Sequence, residues 1–232
     1  MEKRKHIVIL AAGDFPTHPV PLAALREADF VVCCDSAYEG MKNEESRMKN
    51  LVVIGDGDSL SAADKQTLGD RWIHVAEQDY NDLHKAMAWV MDEVGGMRYE
   101  VSTSDLRPPT SNLKITILGA TGRREDHTLG NLSYLATFAD EYPGIDLEML
   151  TDHGRFITFC GTQTFPSFPR QQVSLVVFNP AVGITSEGLR WPLHDFHPSL
   201  WWQATLNEAL TDRFTLSANG PVLLFRTYDP KP

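Results

Sequence analysis

Residues 51–59 read Leu51-Val52-Val53-Ile54-Gly55-Asp56-Gly57-Asp58-Ser59. A short, unbroken apolar run that stops on a glycine predicts a buried strand, and two carboxylates two positions apart stand at its end. If the chain is still extended there, Asp56 and Asp58 share one side of it and would hold one cation together. The glycines add access, because a backbone without Cβ lets a phosphate or a metal come close.

The same texture recurs on both sides of this stretch. Apolar runs at 6–12, 30–34, 72–75, 114–118 and 146–150 also read as strands, and the segments 21–28, 62–68, 82–94 and 129–142 carry apolar residues at helical spacing. Strand and helix in alternation predict an α/β domain with a mostly parallel, Rossmann-like sheet, whose ligands sit at the carboxyl ends of the strands. After Leu150 the pattern changes to short β-like pieces at 156–160, 173–178, 205–206, 214–217 and 222–226, separated by Gly, Pro and Asn. That half predicts an all-β sandwich domain, with Asn219-Gly220 as a two-residue hairpin turn. The expected domains are therefore 1–150 and 151–232, with residues 98–112, rich in Ser, Thr and Pro, forming a surface loop in the first.

Composition narrows the function. The chain has 232 residues, 42% hydrophobic and 22% charged, with a formal net charge of −10. A protein so acidic lacks the basic face that nucleic acid requires, so no nucleic-acid partner is expected. The first apolar stretch, only six residues long, is too short for a signal peptide or a membrane helix, and a cytoplasmic protein without membrane contact is expected. Three cysteines, Cys33, Cys34 and Cys160, form no disulfide framework and no paired metal spacing. His194 and His197 are spaced for a metal but lack a second ligand pair, so they read as solvated loop residues.

Four polar motifs follow predicted strands. Asp35 closes the run Val31-Val32-Cys33-Cys34, and the Asp56/Asp58 pair follows the next strand. Gln78-Asp79-Tyr80-Asn81-Asp82-Leu83-His84-Lys85 leads into a helix; Asp82 suits an N-cap or first-turn role, while Asp79 and Lys85 could meet one polyphosphate, the first through metal and the second directly. Gly119-Ala120-Thr121-Gly122-Arg123-Arg124-Glu125-Asp126-His127 is a glycine-bearing turn with arginines, a natural anion site; its Asp126 and His127 serve equally well as caps or as substrate contacts. Each motif alone is explained as turn chemistry. Together they put acidic or Gly-Arg groups after four strands, where an α/β site belongs. Neither a P-loop nor a Gly-x-Gly-x-x-Gly fingerprint is present, and Gly-x-Ser-x-Gly is absent too.

These motifs, in this order, resemble those of the thiamine pyrophosphokinase family over nearly the whole chain. Asp35-Ser36-Ala37 resembles its Asp-Gly-Gly/Ala, Gly55-Asp56-Gly57-Asp58-Ser59 its Gly-Asp-Phe-Asp-Ser, and Asp79-Tyr80-Asn81-Asp82-Leu83-His84-Lys85-Ala86 its Asp-x-Thr-Asp-x-x-Lys-Ala. Gly122-Arg123-Arg124-Glu125-Asp126-His127 resembles its Gly-Gly-Arg-x-Asp-His, with Asn131 following on the helix. In the second half, Gly188-Leu189-Arg190-Trp191-Pro192-Leu193 resembles Gly-Leu-Lys-Trp-Pro-Leu, and Thr205-Leu206-Asn207-Glu208 resembles Thr-Ser-Asn-Glu. Departures include Gly57 for Phe, Asn81 for Thr, His84 where Glu is frequent, Arg123 for the second Gly and Leu206 for Ser.

The resemblance implies a pyrophosphoryl transfer from ATP to the thiamine hydroxyl, with Mg²⁺ as cofactor. Asp56, Asp58 and Asp79 would hold the metal, with Asp35 and Asp82 completing or orienting its shell. Lys85 and Arg124 would meet phosphate oxygens. Gly55, Ser59, Gly122, Asp126 and His127 would line the nucleotide side. A homodimer is implied, with Trp191, Thr205 and Asn207 in a thiamine pocket. Two other readings stay open: a pyrophosphokinase for another hydroxylated heterocycle such as a hydroxymethylpterin, and a non-catalytic Mg-ATP-binding protein. The Trp-Pro-Leu segment argues against the first and the intact carboxylates against the second.

Overall fold

The computed structural model describes residues 4–94 and 113–230; the expected surface loop at 98–112 lies outside the described residues. The chain divides into two compact units, Met1–Asp152 and His153–Pro232. Among the described residues no helix is long and apolar enough to cross a membrane.

In the first unit, strands β1 (Lys5–Leu10), β2 (Phe30–Cys34), β3 (Leu51–Gly55), β4 (Trp72–His74), β5 (Leu113–Leu118) and β6 (Asp146–Leu150) alternate with helices α1 (Pro19–Glu27), α2 (Tyr38–Met41), α3 (Ala62–Leu68), α4 (Asp82–Trp89) and α5 (Glu125–Glu141). The strands lie in the order β6-β5-β1-β2-β3-β4, and every pairing is parallel. A parallel sheet is covered on both faces, which is why Ile7, Val8 and Ile9 of β1 are all completely buried and why the strand reads as an unbroken apolar run. Burying each such side chain contributes about 1.5–3 kcal/mol. The chain starts at β1, walks outward to β4, then returns to the other side of β1 with β5. That reversal opens a crevice at the carboxyl ends of the strands, where the polar motifs were expected.

Local chemistry sets the helix ends. Ser61 caps α3 by accepting from the Asp64 amide at 3.1 Å, and the helix stops at Gly69, whose φ of +52° suits a residue without Cβ. Asn81 caps α4, leaving Asp82 as its first residue.

The second unit is built from antiparallel strands β7 (Gly154–Pro166), β8 (Gln171–Val176), β9 (Ile184–Glu187), β10 (Asn207–Glu208) and β11 (Arg213–Pro230). One edge of β11 pairs with β7; its other edge takes β9 along Thr215–Ala218 and β8 along Leu223–Arg226. Val173, Leu175, Leu216, Val222 and Leu224 are completely buried in the core of this unit.

Two sequence expectations are corrected here. The short strand at 205–206 lies two residues later, at β10. The supposed hairpin at Asn219-Gly220 is an irregularity inside β11: between the pairs Ala218/Gly161 and Val222/Phe159, the three residues Asn219, Gly220 and Pro221 face Cys160 alone. Pro221 has no N–H for the ladder. A Cβ on Gly220 would lie 2.6 Å from Val182 Cγ2, and the Asn219 side chain accepts from the Gly183 amide at 2.9 Å. The residues that would make a turn make a bulge instead.

His6, on β1, meets Thr116 Oγ1 at 2.9 Å, and Thr116 donates to Glu148 Oε1 at 3.1 Å. Burial, reinforced by Lys114, holds the His6 imidazole below its ordinary value of 6.5. The folded state therefore refuses a proton that the unfolded chain accepts, so this contribution is present above pH 6.5 and is lost as pH falls from there toward the folded value. Denaturant titrations at pH 7.5 and 5.5 are expected to show lower stability in acid, and His6→Gln is expected to shrink that difference.

Candidate active site

The crevice is framed by two loops laced together. After β1, the Ala11 amide donates to Leu118 O at 2.8 Å, the Gly13 amide to Gly119 O at 2.6 Å and the Asp14 amide to Thr121 O at 2.9 Å. Glycine is required on both sides: a Cβ on Gly13 would stand 2.2 Å from Thr121 O, and one on Gly122 2.1 Å from Asp14 Oδ2. Arg123, which replaces a family glycine, adopts a left-handed φ of +55° and donates to Ala12 O at 3.1 Å. A non-glycine residue there costs on the order of 1–2 kcal/mol, which the new hydrogen bond offsets in part. The glycine-rich turn thus braces the β1 loop.

At the ends of β2 and β3, Asp35 is almost wholly buried and accepts from the Gly57 amide at 2.8 Å. A Cβ on Gly55 would come within 2.5 Å of the Asp35 carboxyl carbon, so glycine is what lets this carboxylate lie under the turn. Burial raises the Asp35 pKa above the ordinary carboxylate value, against the Gly57 hydrogen bond. Asp56 is held below it, because the Asp58 amide donates to Oδ1 at 3.0 Å and Gln78 Nε2 to Oδ2 at 2.8 Å.

The chain does not stay extended through this motif. Gly57 has φ +84°, so the extended backbone that would align Asp56 with Asp58 is broken there, and Asp58 is exposed and is not among the residues lining the cleft. The volume beside Gly57 is taken by the Trp72 indole and by Lys65, whose ammonium lies 4.9 Å from the Trp72 ring centre. Replacement of the family phenylalanine by glycine thus coincides with a tryptophan brought in from β4.

At the start of α4, Asn81 Oδ1 accepts from the His84 amide at 3.0 Å, and Asn81 Nδ2 reaches Asn131 Oδ1 at 3.3 Å. Asn131, buried on α5, donates to Ala120 O at 2.8 Å. This chain of amides ties α4, α5 and the β5 turn together. One helical turn on, the Lys85 ammonium, with its side chain only 5% exposed, lies 3.4 Å from Asp82 Oδ1. Burial raises the Asp82 pKa, and Lys85 opposes that shift.

These groups line a cleft of about 420 Å³. Of the residues expected from sequence, Asp56, Asp79, Asp82, Lys85 and His127 line it; Gln78, Asn81 and Asn131, not named as site residues, line it too. Asp35 lies beneath the turn. Gly55, Ser59, Gly122, Arg124 and Asp126 do not line the cleft. Arg124 and Asp126 are exposed and paired with each other at 3.0 and 2.5 Å, which pulls the Asp126 pKa down to about 2. Among the described residues no three His, Cys, Asp or Glu side chains are grouped to hold one ion, so Asp56, Asp58 and Asp79 are not a preassembled triad.

In the second unit Trp191 is 54% exposed, with the Arg190 guanidinium 5.2 Å over its ring and Arg190 paired to Glu208 at 3.3 Å. Asn207 is buried and its amide is spent on backbone: Oδ1 accepts from the Trp191 amide at 3.1 Å and the Glu208 amide at 2.9 Å, and Nδ2 donates to Trp191 O at 2.6 Å. Asn207 therefore holds Trp191 in place. Thr205 donates to Trp202 O at 2.7 Å, and Leu206, in place of a family serine, takes φ +61°.

Fold and cleft define the class: an α/β unit with an acidic strand-end site, joined in sequence to a β-rich unit. The thiamin pyrophosphokinase catalytic domain matches residues 22–147, and the thiamin pyrophosphokinase substrate-binding domain matches residues 154–225. The chain belongs to the thiamin pyrophosphokinase family. It is similar to thiamine pyrophosphokinase 1 of Oryza sativa subsp. japonica, with 26% identity over 63% of this chain and 54% of that protein. It is also similar to thiamine pyrophosphokinase of Bacillus subtilis, with 24% identity over 77% of this chain and 79% of that protein. The chain spans about half the length of the plant relatives it matches. Its structure is similar to that of thiamin pyrophosphokinase from Candida albicans, with a TM-score of 0.76 and 17% identity over 97% of this chain and 90% of that one.

Asn207→Ala is expected to remove the side-chain partners of the buried Glu208 amide and of the part-buried Trp191 amide and carbonyl, and to lower stability by about 1–3 kcal/mol. Thermal melts check the loss, and a red-shifted tryptophan emission is the accompanying sign that Trp191 has moved.

Proposed function

We propose that the chain transfers the pyrophosphoryl group of ATP to the hydroxyl of thiamine, giving thiamine diphosphate and AMP. The observation that carries this reading is the juxtaposition of Asp56, Asp79, Asp82 and the buried Lys85 ammonium in one cleft of the unit that matches the family's catalytic domain. The donor set suits Mg²⁺, a hard cation that keeps waters and takes one or two carboxylates together with substrate phosphates. Asp56 and Asp79, with Asp58 at the neighbouring turn, would hold it, and when bound it supplies positive charge against the triphosphate.

The chain's own groups do the rest. Lys85 faces the phosphate oxygens with a charge desolvated by burial. Asp82 spends Oδ1 on Lys85, so its Oδ2 accepts the proton of the thiamine hydroxyl; the pKa raised by burial makes it the better base. The hydroxyl oxygen bonds to the β-phosphorus, the bond from that phosphorus to the bridging α–β oxygen breaks, and AMP leaves. Catalysis rests on alignment and charge stabilisation. Asp35, tied to the Gly57 amide, keeps the Asp56 turn in shape. Arg124 spends Nε and Nη2 on Asp126 and keeps Nη1 for a phosphate oxygen. Residues 1–150 would then be the ATP- and Mg²⁺-binding domain and 151–232 the thiamine-binding and dimerisation domain, with Trp191 offering the cationic thiazolium its uncovered face. Half-exposed Trp201 and Trp202 are consistent with a homodimer, and two buried thiols, Cys33 and Cys34, with the reducing cytoplasm.

Purified protein supplied with ATP, Mg²⁺ and thiamine is expected to yield AMP and thiamine diphosphate in equal amounts, with Asp56→Ala lowering kcat about a hundred-fold or more. Binding of ATP without thiamine-dependent AMP would sink the assignment, and turnover with a hydroxymethylpterin instead would move it to another acceptor.

A further inference from the structure

Among the described residues lining the cleft, Tyr80 is the only tyrosine, phenylalanine or tryptophan, and it is 51% exposed. It is nevertheless held. Its ring stacks face to face on His84, with centroids 4.1 Å apart and planes 13° from parallel. His84 is packed in turn against Tyr134 at 5.5 Å and Phe138 at 5.8 Å, and Phe138 is 1% exposed. The stack therefore runs from the cleft to the buried face of α5. The backbone is pinned as well: the Tyr80 amide donates to Glu77 Oε1 at 3.1 Å, and the His84 amide to Asn81 Oδ1 at 3.0 Å. An aromatic ring with one face backed and the other open to a cleft costs little to order on binding, and stacking accepts any flat heterocycle. Neither Tyr80 nor His84 has a part in the phosphate chemistry described above.

We propose that Tyr80 is the stacking platform for the heteroaromatic ring of a substrate, and that His84, which replaces a frequent family glutamate, is a positioning residue that backs it. The inference rests on the proposed reaction, both of whose substrates carry such a ring: the purine of the nucleotide and the aminopyrimidine of thiamine. Tyr80 contributes its π-face rather than its hydroxyl, so phenylalanine replaces it and alanine does not.

The test measures kcat and KM for ATP and for thiamine in the wild type, Tyr80→Phe, Tyr80→Ala and His84→Ala, with calorimetric titration of ATP and of thiamine into each protein. Tyr80→Ala is expected to raise one of the two KM values, and weaken the matching calorimetric affinity, by roughly ten-fold or more, with kcat changed far less. Tyr80→Phe is expected to stay within about two-fold of wild type, and His84→Ala to fall between them. A rise in the ATP values assigns the purine to the platform, and a rise in the thiamine values assigns the aminopyrimidine. Wild-type turnover with both KM values unchanged in Tyr80→Ala overturns the inference, as does an equal loss in Tyr80→Phe. A wild type without turnover overturns the underlying reaction, whatever the variants do.

Discussion

Three aspartates, Asp35, Asp56 and Asp82, crowd the carboxyl end of one parallel sheet, where the polypeptide must hold like charges together at the edge of an apolar core. Each is treated differently. Asp56 is stabilised as an anion by the Asp58 amide and Gln78. Asp35 and Asp82 are pushed the other way by burial, offset at Asp35 by the Gly57 and Ser36 amides and at Asp82 by the Lys85 ammonium. Removing Lys85 would leave the half-buried Asp82 carboxylate without the cation that offsets its desolvation. The glycines at 55 and 57, the Asn81–Asn131 bridge and the laced loops after β1 and β5 all serve to keep these charges at fixed separations.

Much of the architecture was legible because burial on both faces of a parallel sheet leaves an unbroken apolar run, as in 51–54 and 30–34, and no other element of that length looks the same. The starts of α3 and α4 were legible, that of α5 was not: it begins at Glu125, four residues before its apolar spacing becomes visible, because its first turn is polar and exposed. Asn219-Gly220 misled because local turn propensity says nothing about whether a partner strand continues past it; here the ladder to β7 resumes at Val222, so the strand carries on.

The site was legible as a set of motifs and less so as a geometry. Asp79 and Lys85 both line the cleft, six positions apart across a loop and one helical turn. The extended backbone that would align Asp56 and Asp58 is absent, because the glycine between them turns left-handed, a freedom that spacing rules for an extended strand ignore. Asn207 also clamps Trp191, through a partner sixteen residues away in sequence, which no local pattern reveals. Gln78 was in view within its motif, but its bond to Asp56 required the fold.

Strand β11 has one more consequence, for the order of events during synthesis. It is the last described strand of its unit, and β7, β8 and β9 all pair with it. Until Arg213–Pro230 has left the ribosome, β7 and β9 have no partner among the other described strands of this unit and β8 has only the two-residue β10, whereas every described strand of the α/β unit has already been made. The β-rich unit is therefore the late-closing part of the nascent chain, the stage at which it most depends on chaperone protection.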